Sequence, residues 1–560
     1  MSFVAKRFPL LSVLRQEFAG YNMAALRGDV FAGITVGAVA LPLALALGVA
    51  AGASAAAGLV TSVLAGFIIG GLSGAGYQIS GASGAMSAVL IVLSSRYGMD
   101  GVWMAGLMAG IIILMIGILN LGQVVNFIPT TVISGFTSGI ALIIFIGQID
   151  SLLGVQTAAN PNALMKLLGY LRFDYLPNSA DVGISLTVIA VMVFLPKKWN
   201  NLIPASVLAL ILTTAAAALL NLDVRTIGTI PQTILLDDRL QPQGIPWHYA
   251  GELLAPAFSI AALCTIESLL CGTVGGRMVG QKLSLNQELI AQGVGNIVIP
   301  FFGGIPAAAV IARTSVAIRS GGRTRVVSLV HSLVLLMAAL VLAPVIGKVP
   351  MSTLAGVLAV TAWRINDWPG IRSIFRRRFK SAILAFTATM LATVALDLTQ
   401  AIIMGFALSA LLFVFQISRI KVNLMQVSAD MMRGQGYEMK TSAEHTVVIN
   451  VMGPLFFGSA STFTDVIEGL GDVQDVILNL RFVPLLDMTG VGAIENAIAL
   501  VETRGGRLHL NGLNEPVRSY LQRAGVLDYL GNDRIFWSTD QAIIAVDRRR
   551  AEQLNSPLPA

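Results

Sequence analysis

Long apolar segments separated by short polar stretches fill the chain from about residue 28 to residue 419. A helix needs about 20 predominantly apolar residues to cross a bilayer. Segments of this kind begin near fourteen positions, at residues 28, 54, 83, 102, 125, 180, 203, 254, 287, 308, 326, 351, 380 and 400. The pattern therefore predicts an α-helical polytopic membrane protein of fourteen segments.

An ordinary mixed composition returns after about residue 425, and from there short apolar runs alternate between strand and helix periods. Alternation at this spacing predicts a small α/β sheet with helices packed on it. The run VPLLDMTGVGAIENAI predicts a strand that ends at Asp487 and a helix that opens at about Thr489, with side chains suited to capping.

These shifts divide the chain into five regions. We expect a cytoplasmic N-terminal segment at 1–27 and a transmembrane domain at 28–420. A linker at 421–439, the α/β domain at 440–550 and a C-terminal tail at 551–560 follow.

Composition supports the membrane assignment, because 55% of the 560 residues are hydrophobic and only 12% are charged. Soluble proteins carry about 25% charged residues. The net charge of +7 comes partly from basic runs beside apolar segments, PKKWNN at 196–201 and RSIFRRRFK at 372–380. That placement is typical of cytoplasmic loops and predicts cytoplasmic N- and C-termini in an inner (plasma) membrane. A lipid headgroup site is the alternative for these runs, and no nucleic-acid partner is expected.

The sequence contains no recognisable catalytic motif. There is no phosphate-binding GxxxxGK[ST] motif, no Ser/His/Asp constellation and no metal-binding spacing, so we expect no cofactor and no metal. The first 27 residues have basic residues but no cleavable small-residue site, so no signal peptide is expected.

Two segments differ from ordinary spans. The stretch from Gly76, GYQISGASGAMSAVLIVLSS, and the stretch from Phe301, FFGGIPAAAVIARTSVAIRSGG, both begin with turn-forming or small residues and leave only a short helix. Interrupted segments at corresponding positions indicate a transporter site. They are segments 3 and 10, which occupy corresponding positions if the chain consists of two seven-helix repeats. The second repeat would be inverted in the bilayer, so the N-termini of the two short helices would point at each other near the midplane. Helix N-termini carry partial positive charge and free N–H groups, and together they would suit an anion. The alternative is that the small residues only permit tight helix packing.

Two charges lie inside apolar segments, Glu267 in TIESLLC and Arg313 in VIARTSVAI. A charge at the bilayer centre costs about 2.5–3.5 kcal/mol, so such residues are usually functional or paired. The guanidinium of Arg313 offers a fork of donors suited to carboxylate, sulfate or bicarbonate. Glu267 could carry a proton with the substrate. A structural ion pair between the two is the alternative.

Several motifs together resemble the sulfate permease family of anion transporters. They are GDVFAGITVGAVALPLALALG, ISGASGAM, PTTVISGFTSGIA, TIESLLC, NQELIAQGVGNI, IARTSVAIRSGGRT, GPLFFGSASTF and VPLLDMTGVGAIENA. The motifs TIESLLC, IART and GPLFFG look most like the bacterial C4-dicarboxylate transporter of that family. The resemblance implies a fourteen-helix inverted-repeat fold with core and gate subdomains, a homodimer, and a cytoplasmic STAS domain at the C-terminus.

The resemblance also implies a binding site. Arg313 matches the arginine at the start of helix 10, with Ala312 in place of a frequent serine and Thr314 beside it. Ser83 and Gly84 match the start of helix 3. These residues are expected to bind the substrate.

The same comparison places Leu43, after Pro42, where many members have glutamine, and Glu267 at the acidic position of helix 8. Sodium-coupled members have aspartate there, threonine one turn on and no arginine. Because this chain has Glu267, Cys271 and Arg313, sodium is disfavoured and Glu267 is expected to couple protons or balance exchange.

In the related anti-sigma factor antagonists the phosphorylated hydroxyl directly follows the motif aspartate, where this chain has Met488, with Thr489 offset by one. We therefore expect the STAS domain to act as a scaffold, a dimer contact or a docking surface for a cytoplasmic partner. The function hypothesis is a proton-coupled or exchanging transporter of a small anion, C4-dicarboxylate first, then sulfate or bicarbonate. The alternatives are an anion channel on the same fold and a membrane-anchored STAS signalling or scaffold protein.

Overall fold

The structure is a computed structural model that describes residues 10–123, 129–157, 163–170, 176–196, 199, 203–244, 247–396, 398–434, 436–442, 445–471 and 473–555. The chain divides into two compact units, Met1–Ala407 and Leu408–Ala560. The first unit is helical and the second contains a five-stranded sheet.

The helices of the N-terminal unit follow the apolar segments. They are α1 Leu10–Glu17, α2 Met23–Ala50, α3 Ala55–Leu72, α4 Gly84–Ile118, α5 Thr130–Leu153, α6 Ala163–Tyr170, α7 Ser179–Phe194, α8 Ala205–Leu219, α9 Ala250–Val279, α10 Leu285–Val298, α11 Ile311–Arg319, α12 Val326–Val341, α13 Ala343–Ile346, α14 Met351–Ile365, α15 Trp368–Arg377, α16 Lys380–Ala395 and α17 Leu398–Ile417. Among the described residues, five helices are long and apolar enough to cross a membrane.

A helix or a break within one lies close to each predicted start among the described residues, and the start predicted near residue 125 lies outside them. The predicted segments 3 and 4 form the single element α4, with a break at Gly98, where φ is 69°. The first long helix begins at Met23 rather than at residue 28, because Asn22 caps it by accepting a hydrogen bond from Ala25 N. The number of membrane crossings and the inverted repeat stay predictions.

Two three-residue strands lie within the helical unit. Strand β1, Ser80–Ala82, precedes α4, and strand β2, Ala307–Ala309, precedes α11. They pair antiparallel, with Gly81 opposite Ala308, and both are fully buried. Non-helical backbone at membrane depth is tolerated only where protein covers it and its polar groups are paired. We call this two-stranded element the ribbon.

Apolar side chains of the helical unit form more than one buried cluster. The largest joins α2, α3, α4, α9, α10 and the ribbon, with some residues of α5, α12 and α14. A separate cluster joins α7, α8 and α14 around Val188, Ala209 and Val357.

The C-terminal unit has the sheet order β3-β4-β5-β6-β7, with only the β3–β4 pair antiparallel. The strands are β3 Lys421–Gln426, β4 Thr446–Met452, β5 Asp475–Phe482, β6 Arg507–Asn511 and β7 Ile535–Phe536. The helices are α18 Ala429–Gly434, α19 Ala460–Glu468, α20 Met488–Thr503, α21 Glu515–Arg523, α22 Val526–Leu530 and α23 Thr539–Asn555.

The prediction of a linker at 421–439 was wrong. Strand β3 occupies its first six residues and pairs with β4 along its whole length, from Lys421 opposite Met452 to Gln426 opposite Val447. A lone strand of alternating exposed residues gave too weak a pattern to be recognised. The helix expected at about Thr489 is α20, which Asp487 caps by accepting from Gly490 N at 2.8 Å.

Candidate functional site

The ribbon brings two helix N-termini into one region. Helix α4 begins directly after Ser83 and α11 directly after Val310, and neither N-cap residue donates or accepts a side-chain capping hydrogen bond. The backbone N–H groups of a first helical turn have no partner within the helix, and they carry the positive end of the helix dipole. Both helix starts therefore present free donors to a ligand.

Helix α9 packs through one face against strand β2 and against the segment that precedes β1. Its contacting residues recur every three or four positions, as on one side of a helix. Ser268 Oγ accepts from Ala309 N at 3.2 Å, and Ser268 O accepts from Gln78 Nε2 at 2.9 Å. Cys264 Sγ donates to Ala307 O at 3.3 Å. This face therefore supports the backbone that leads into the starts of α4 and α11.

Glu267 lies on the same face and points to the start of α4. Its Oε2 accepts a hydrogen bond from Ser83 Oγ at 2.7 Å, and the side chain is only partly buried. Glu267 forms no salt bridge with Arg313 or with another described residue. The alternative of a Glu267–Arg313 ion pair does not hold in this conformation.

Arg313 lies in the first turn of α11 and is 1% exposed. Its Nη1 donates to Ser62 Oγ of α3 at 3.4 Å, whereas Nε and Nη2 have no partner among the described residues. A Cβ on Gly81 would collide with Nη1, so the guanidinium lies tightly against β1. A buried charge without a counter-ion is costly, which makes this position suited to an anion.

The other two residues expected at the α11 start have different surroundings. Ala312 is exposed, so its backbone can be approached by a ligand. Thr314 is 2% exposed, and its Oγ1 accepts from Ile79 N at 3.0 Å and from Cys271 Sγ at 3.3 Å. The Thr314 hydroxyl therefore ties α11 to the segment before β1 and to α9.

Gly84 and Leu43 lie toward a different group of helices. A Cβ on Gly84 would be 3.0 Å from Ile144 Cδ1 of α5 and 3.2 Å from Ile365 Cδ1 of α14. Leu43 is half-buried and packs against the separate cluster of α7, α8 and α14. Gly84 and Leu43 therefore lie where the helices around the ribbon meet α5, α7, α8 and α14.

Sequence reasoning missed a polar stripe on α10 that supports the ribbon. Asn296 donates to Ala307 O at 3.0 Å and accepts from Ala307 N at 2.8 Å, as a neighbouring strand would. Gln292 donates to Ser80 Oγ at 3.0 Å and to Glu288 at 2.9 Å. These three residues are spaced by four in an otherwise apolar segment, and that spacing was the available signal.

In the C-terminal unit, Met488 is 72% exposed and Thr489 is also exposed, at the start of α20. The side chain at the position after Asp487 is therefore accessible but carries no hydroxyl.

A helical membrane domain in which two uncapped helix starts meet at a buried ribbon, with a buried arginine beside them, is the arrangement of a transporter-type protein. Residues 26–389 match the sulfate permease family and residues 437–542 match the STAS domain. The chain belongs to the sulfate permease family and carries a C-terminal STAS domain; it is a member of a transporter family rather than an enzyme.

Relatives of full length support the assignment. The chain is 31% identical over 547 residues to the putative sulfate transporter YvdB of Bacillus subtilis, covering 94% of this chain and 98% of that protein. It is 28% identical over 539 residues to the bicarbonate transporter BicA of Synechocystis, covering 92% and 94%. Murine Slc26a9, solved in an inward-facing state, has the same fold, with a TM-score of 0.82, 19% identity and coverage of 97% and 94%.

Proposed function

We propose that this protein is a secondary active transporter that moves small oxyanions across a membrane by alternating access. The observation that carries the proposal is Arg313, which is buried in the first turn of an uncapped helix and has no carboxylate partner among the described residues. A transported anion would supply the missing counter-charge and accept from the free N–H groups of α4 and α11.

The substrate class follows from charge and from the relatives. A single guanidinium with two helix N-termini suits a small anion with several oxygen acceptors, and the relatives' names favour sulfate or bicarbonate. The C4-dicarboxylate hypothesis rests on the motif resemblance alone, and succinate is therefore tested beside the other two. Ala312 and Gly84 would contribute backbone donors, and Leu43 would border the site.

Glu267 is the proposed coupling residue. Its carboxylate lies one hydrogen bond from Ser83 at the start of α4, and it is partly exposed. Protonation of Glu267 would remove a negative charge beside the site when an anion binds, which links anion and proton movement. The alternative is exchange of one anion for another without a proton. An imposed pH gradient would accelerate uptake in the first mechanism and not in the second.

The remaining proposals concern movement and assembly. The separate apolar cluster of α7, α8 and α14 is suited to act as a gate group that moves past the ribbon and its helices. The basic runs favour cytoplasmic termini in the inner membrane. A homodimer, and a cytoplasmic partner for the STAS domain, are proposals from the family resemblance.

Uptake into proteoliposomes tests the function. The purified full-length protein is assayed with labelled sulfate, bicarbonate and succinate, with and without an imposed pH gradient. We expect saturable uptake of at least one anion, and a loss of about 100-fold for Arg313→Ala, because a charged hydrogen bond and its field are removed. Arg319→Ala is the matched control, since that exposed arginine ends the same helix.

Intact uptake by Arg313→Ala would refute the proposed site. Absence of flux for all three anions in folded protein would refute transport of this substrate class and would favour the signalling alternative. Single-channel currents in planar bilayers would identify a channel instead, because a carrier turns over too slowly to produce them.

A further inference from the structure

Helix α12 carries a buried polar face in an otherwise apolar sequence, VVSLVHSLVLLMAALV. Ser328, His331 and Ser332 are each 0% exposed and recur at the spacing of one helix face. Histidine inside a membrane segment is costly and usually has a functional partner. The residues proposed to bind the anion do not include this face.

The face lies against α3 at an irregular turn. A Cβ on Gly66 would overlap Ser332 Oγ and would lie 3.2 Å from His331 Nδ1. Ser328 Oγ donates to Gly66 O at 3.1 Å. Gly66 belongs to the π-helical turn Ala65–Ile69, and such turns are frequent at functional sites. The missing side chain allows the imidazole of His331 to approach the α3 backbone closely.

The same side of α3 holds Arg313. Ser62, which accepts from Arg313 Nη1, precedes Gly66 by four positions, so the two lie on one face about 5–6 Å apart. Arg313 and His331 therefore lie against neighbouring positions of one helix, Ser62 and Gly66.

The unpaired polar atoms in this region complement each other. Arg313 Nε and Nη2, both ring nitrogens of His331 and Ser332 Oγ have no hydrogen-bond partner among the described residues. A guanidinium has only donors, whereas a neutral imidazole offers one acceptor nitrogen. Buried polar groups are normally paired, directly or through ordered water.

We propose that His331 is a positioning residue that holds the Arg313 guanidinium through its acceptor nitrogen across one bridging water. This inference rests on the proposed role of Arg313 in anion binding. His331 makes no contact with the anion itself; it fixes the orientation in which the guanidinium charge acts on the site. The competing explanation is that the ring only fills space between α12 and α3.

Kinetics of anion uptake by the full-length protein separate these explanations. His331→Leu introduces an apolar side chain of similar size that has no hydrogen-bond acceptor. His331→Gln provides an acceptor again, through its amide oxygen. We expect His331→Leu to raise the KM for the best transported anion about tenfold, because a hydrogen bond to a charged group is lost, with Vmax within about twofold. His331→Gln should return the KM to within about threefold of the native value.

Ser328→Ala is the matched control, because it removes a buried polar group from the same helix face without touching Arg313. We expect its KM to equal that of the native protein. Arg313→Lys provides the second background, since an ammonium lacks the Nε donor and the planar fork. His331→Leu should raise the KM there by less than about threefold.

Two results would overturn the inference while leaving the proposed function in place. One is an unchanged KM in His331→Leu and His331→Gln with an equal loss of Vmax or of folded protein, which indicates packing alone. The other is an equal KM rise in the native and Arg313→Lys backgrounds, which indicates an action independent of the guanidinium. If Arg313→Lys transports too slowly for a KM, anion-dependent thermal stabilisation of the same variants gives the affinity ratio. Normal transport by Arg313→Ala would instead refute the proposed function.

Discussion

The two helix starts at the ribbon share a backbone arrangement but differ in chemistry. Helix α4 begins at Ser83, whose hydroxyl donates to the carboxylate of Glu267. Helix α11 begins beside Arg313, whose guanidinium is buried against Gly81 and Ser62. One start is thus joined to an acid that is partly exposed, and the other to a base that is fully buried. This difference is the basis for the two tasks that we propose for similar backbone ends, proton coupling at α4 and anion attraction at α11.

Among variants that retain both Arg313 and Glu267 or differ only in charge, the largest expected effect comes from displacing the base at the α11 start. In Gly81→Ala the new Cβ would collide with Arg313 Nη1 and lie 2.9 Å from Ser62 Oγ. Overpacking of this kind costs about 1–3 kcal/mol, and moving the guanidinium should reduce anion uptake by at least about tenfold. Gly71→Ala is the control, because a Cβ there meets nothing within 4 Å. Unchanged uptake by Gly81→Ala would show that the orientation of Arg313 does not matter.

The next largest effect is expected from Glu267, the acid at the start of α4, on the response of uptake to a pH gradient. Glu267→Gln keeps the size and a carbonyl acceptor for Ser83 but cannot lose a proton. We expect uptake driven by a pH gradient to fall to the rate without a gradient, while anion exchange across the membrane continues. Glu252→Gln, an exposed acid in the first turn of the same helix, should retain the gradient response. A preserved response in Glu267→Gln would assign coupling elsewhere.

A substitution of Thr314 distinguishes substrate binding from a structural role on the buried side of the α11 start. Its hydroxyl accepts from Ile79 N, so Thr314→Val leaves a buried backbone donor unpaired. The expected cost is about 1–3 kcal/mol of stability, seen as a lower melting temperature, with the KM within about twofold. Ser315→Val, on the more exposed neighbouring position, is the control. A large KM change with a native melting temperature would return Thr314 to the substrate site.

Both carboxylate oxygens of Asp475, in the C-terminal unit, are paired with basic side chains, whereas Glu267 has no basic partner among the described residues. Burial raises its pKa, but the hydrogen bond from His509 and the charges of Arg549 and Arg550 outweigh burial and hold the pKa below its usual range. Arg549 Nη2 lies 2.6 Å from Oδ1, and Arg550 Nε lies 2.9 Å from Oδ2. Because the pKa is lower in the folded state, this stabilisation is complete above the unfolded pKa of about 3.9 and is lost as pH falls through the folded value.

Asp475→Asn should therefore have the smallest effect on transport and a clear effect on domain melting. We expect a loss of about 3 kcal/mol at neutral pH, because two arginines lose a buried partner, and a shrinking difference from the native protein below about pH 4. Asp465→Asn, an exposed acid of α19, serves as the control. A difference that stays constant over this pH range would contradict the assigned titration.

Much of this arrangement was readable in the sequence, because it depends on local pattern. The apolar segments placed the helices, and the breaks before Ser83 and at Gly303 to Pro306 indicated where helices would be interrupted. Glu267 and Arg313 stood out as charges in apolar segments. Their separate partners could not be predicted, since Ser83 and Ser62 are brought to them only by the tertiary packing of α3, α4 and α9.

Other features lacked a sequence signal of sufficient strength. His331 was one of four scattered histidines, and only the approach of α12 to Gly66 relates it to Arg313. Strand β3 was missed because its exposed, alternating side chains resemble those of a linker, while its pairing partner lies across an intervening helix. The site role of each residue remains a prediction.

The ribbon also constrains the order in which the protein can be made. Arg313 and Ser62 are 251 positions apart, and Thr61 accepts and donates hydrogen bonds with Ile305, 244 positions away. Contacts of such large sequence separation form late, because the chain between them must first be ordered. During synthesis, β1 would wait in the membrane with unpaired backbone groups until residues 307–309 have been inserted. Closure of the ribbon is therefore a folding step that can be completed only after most of the helical unit has been made.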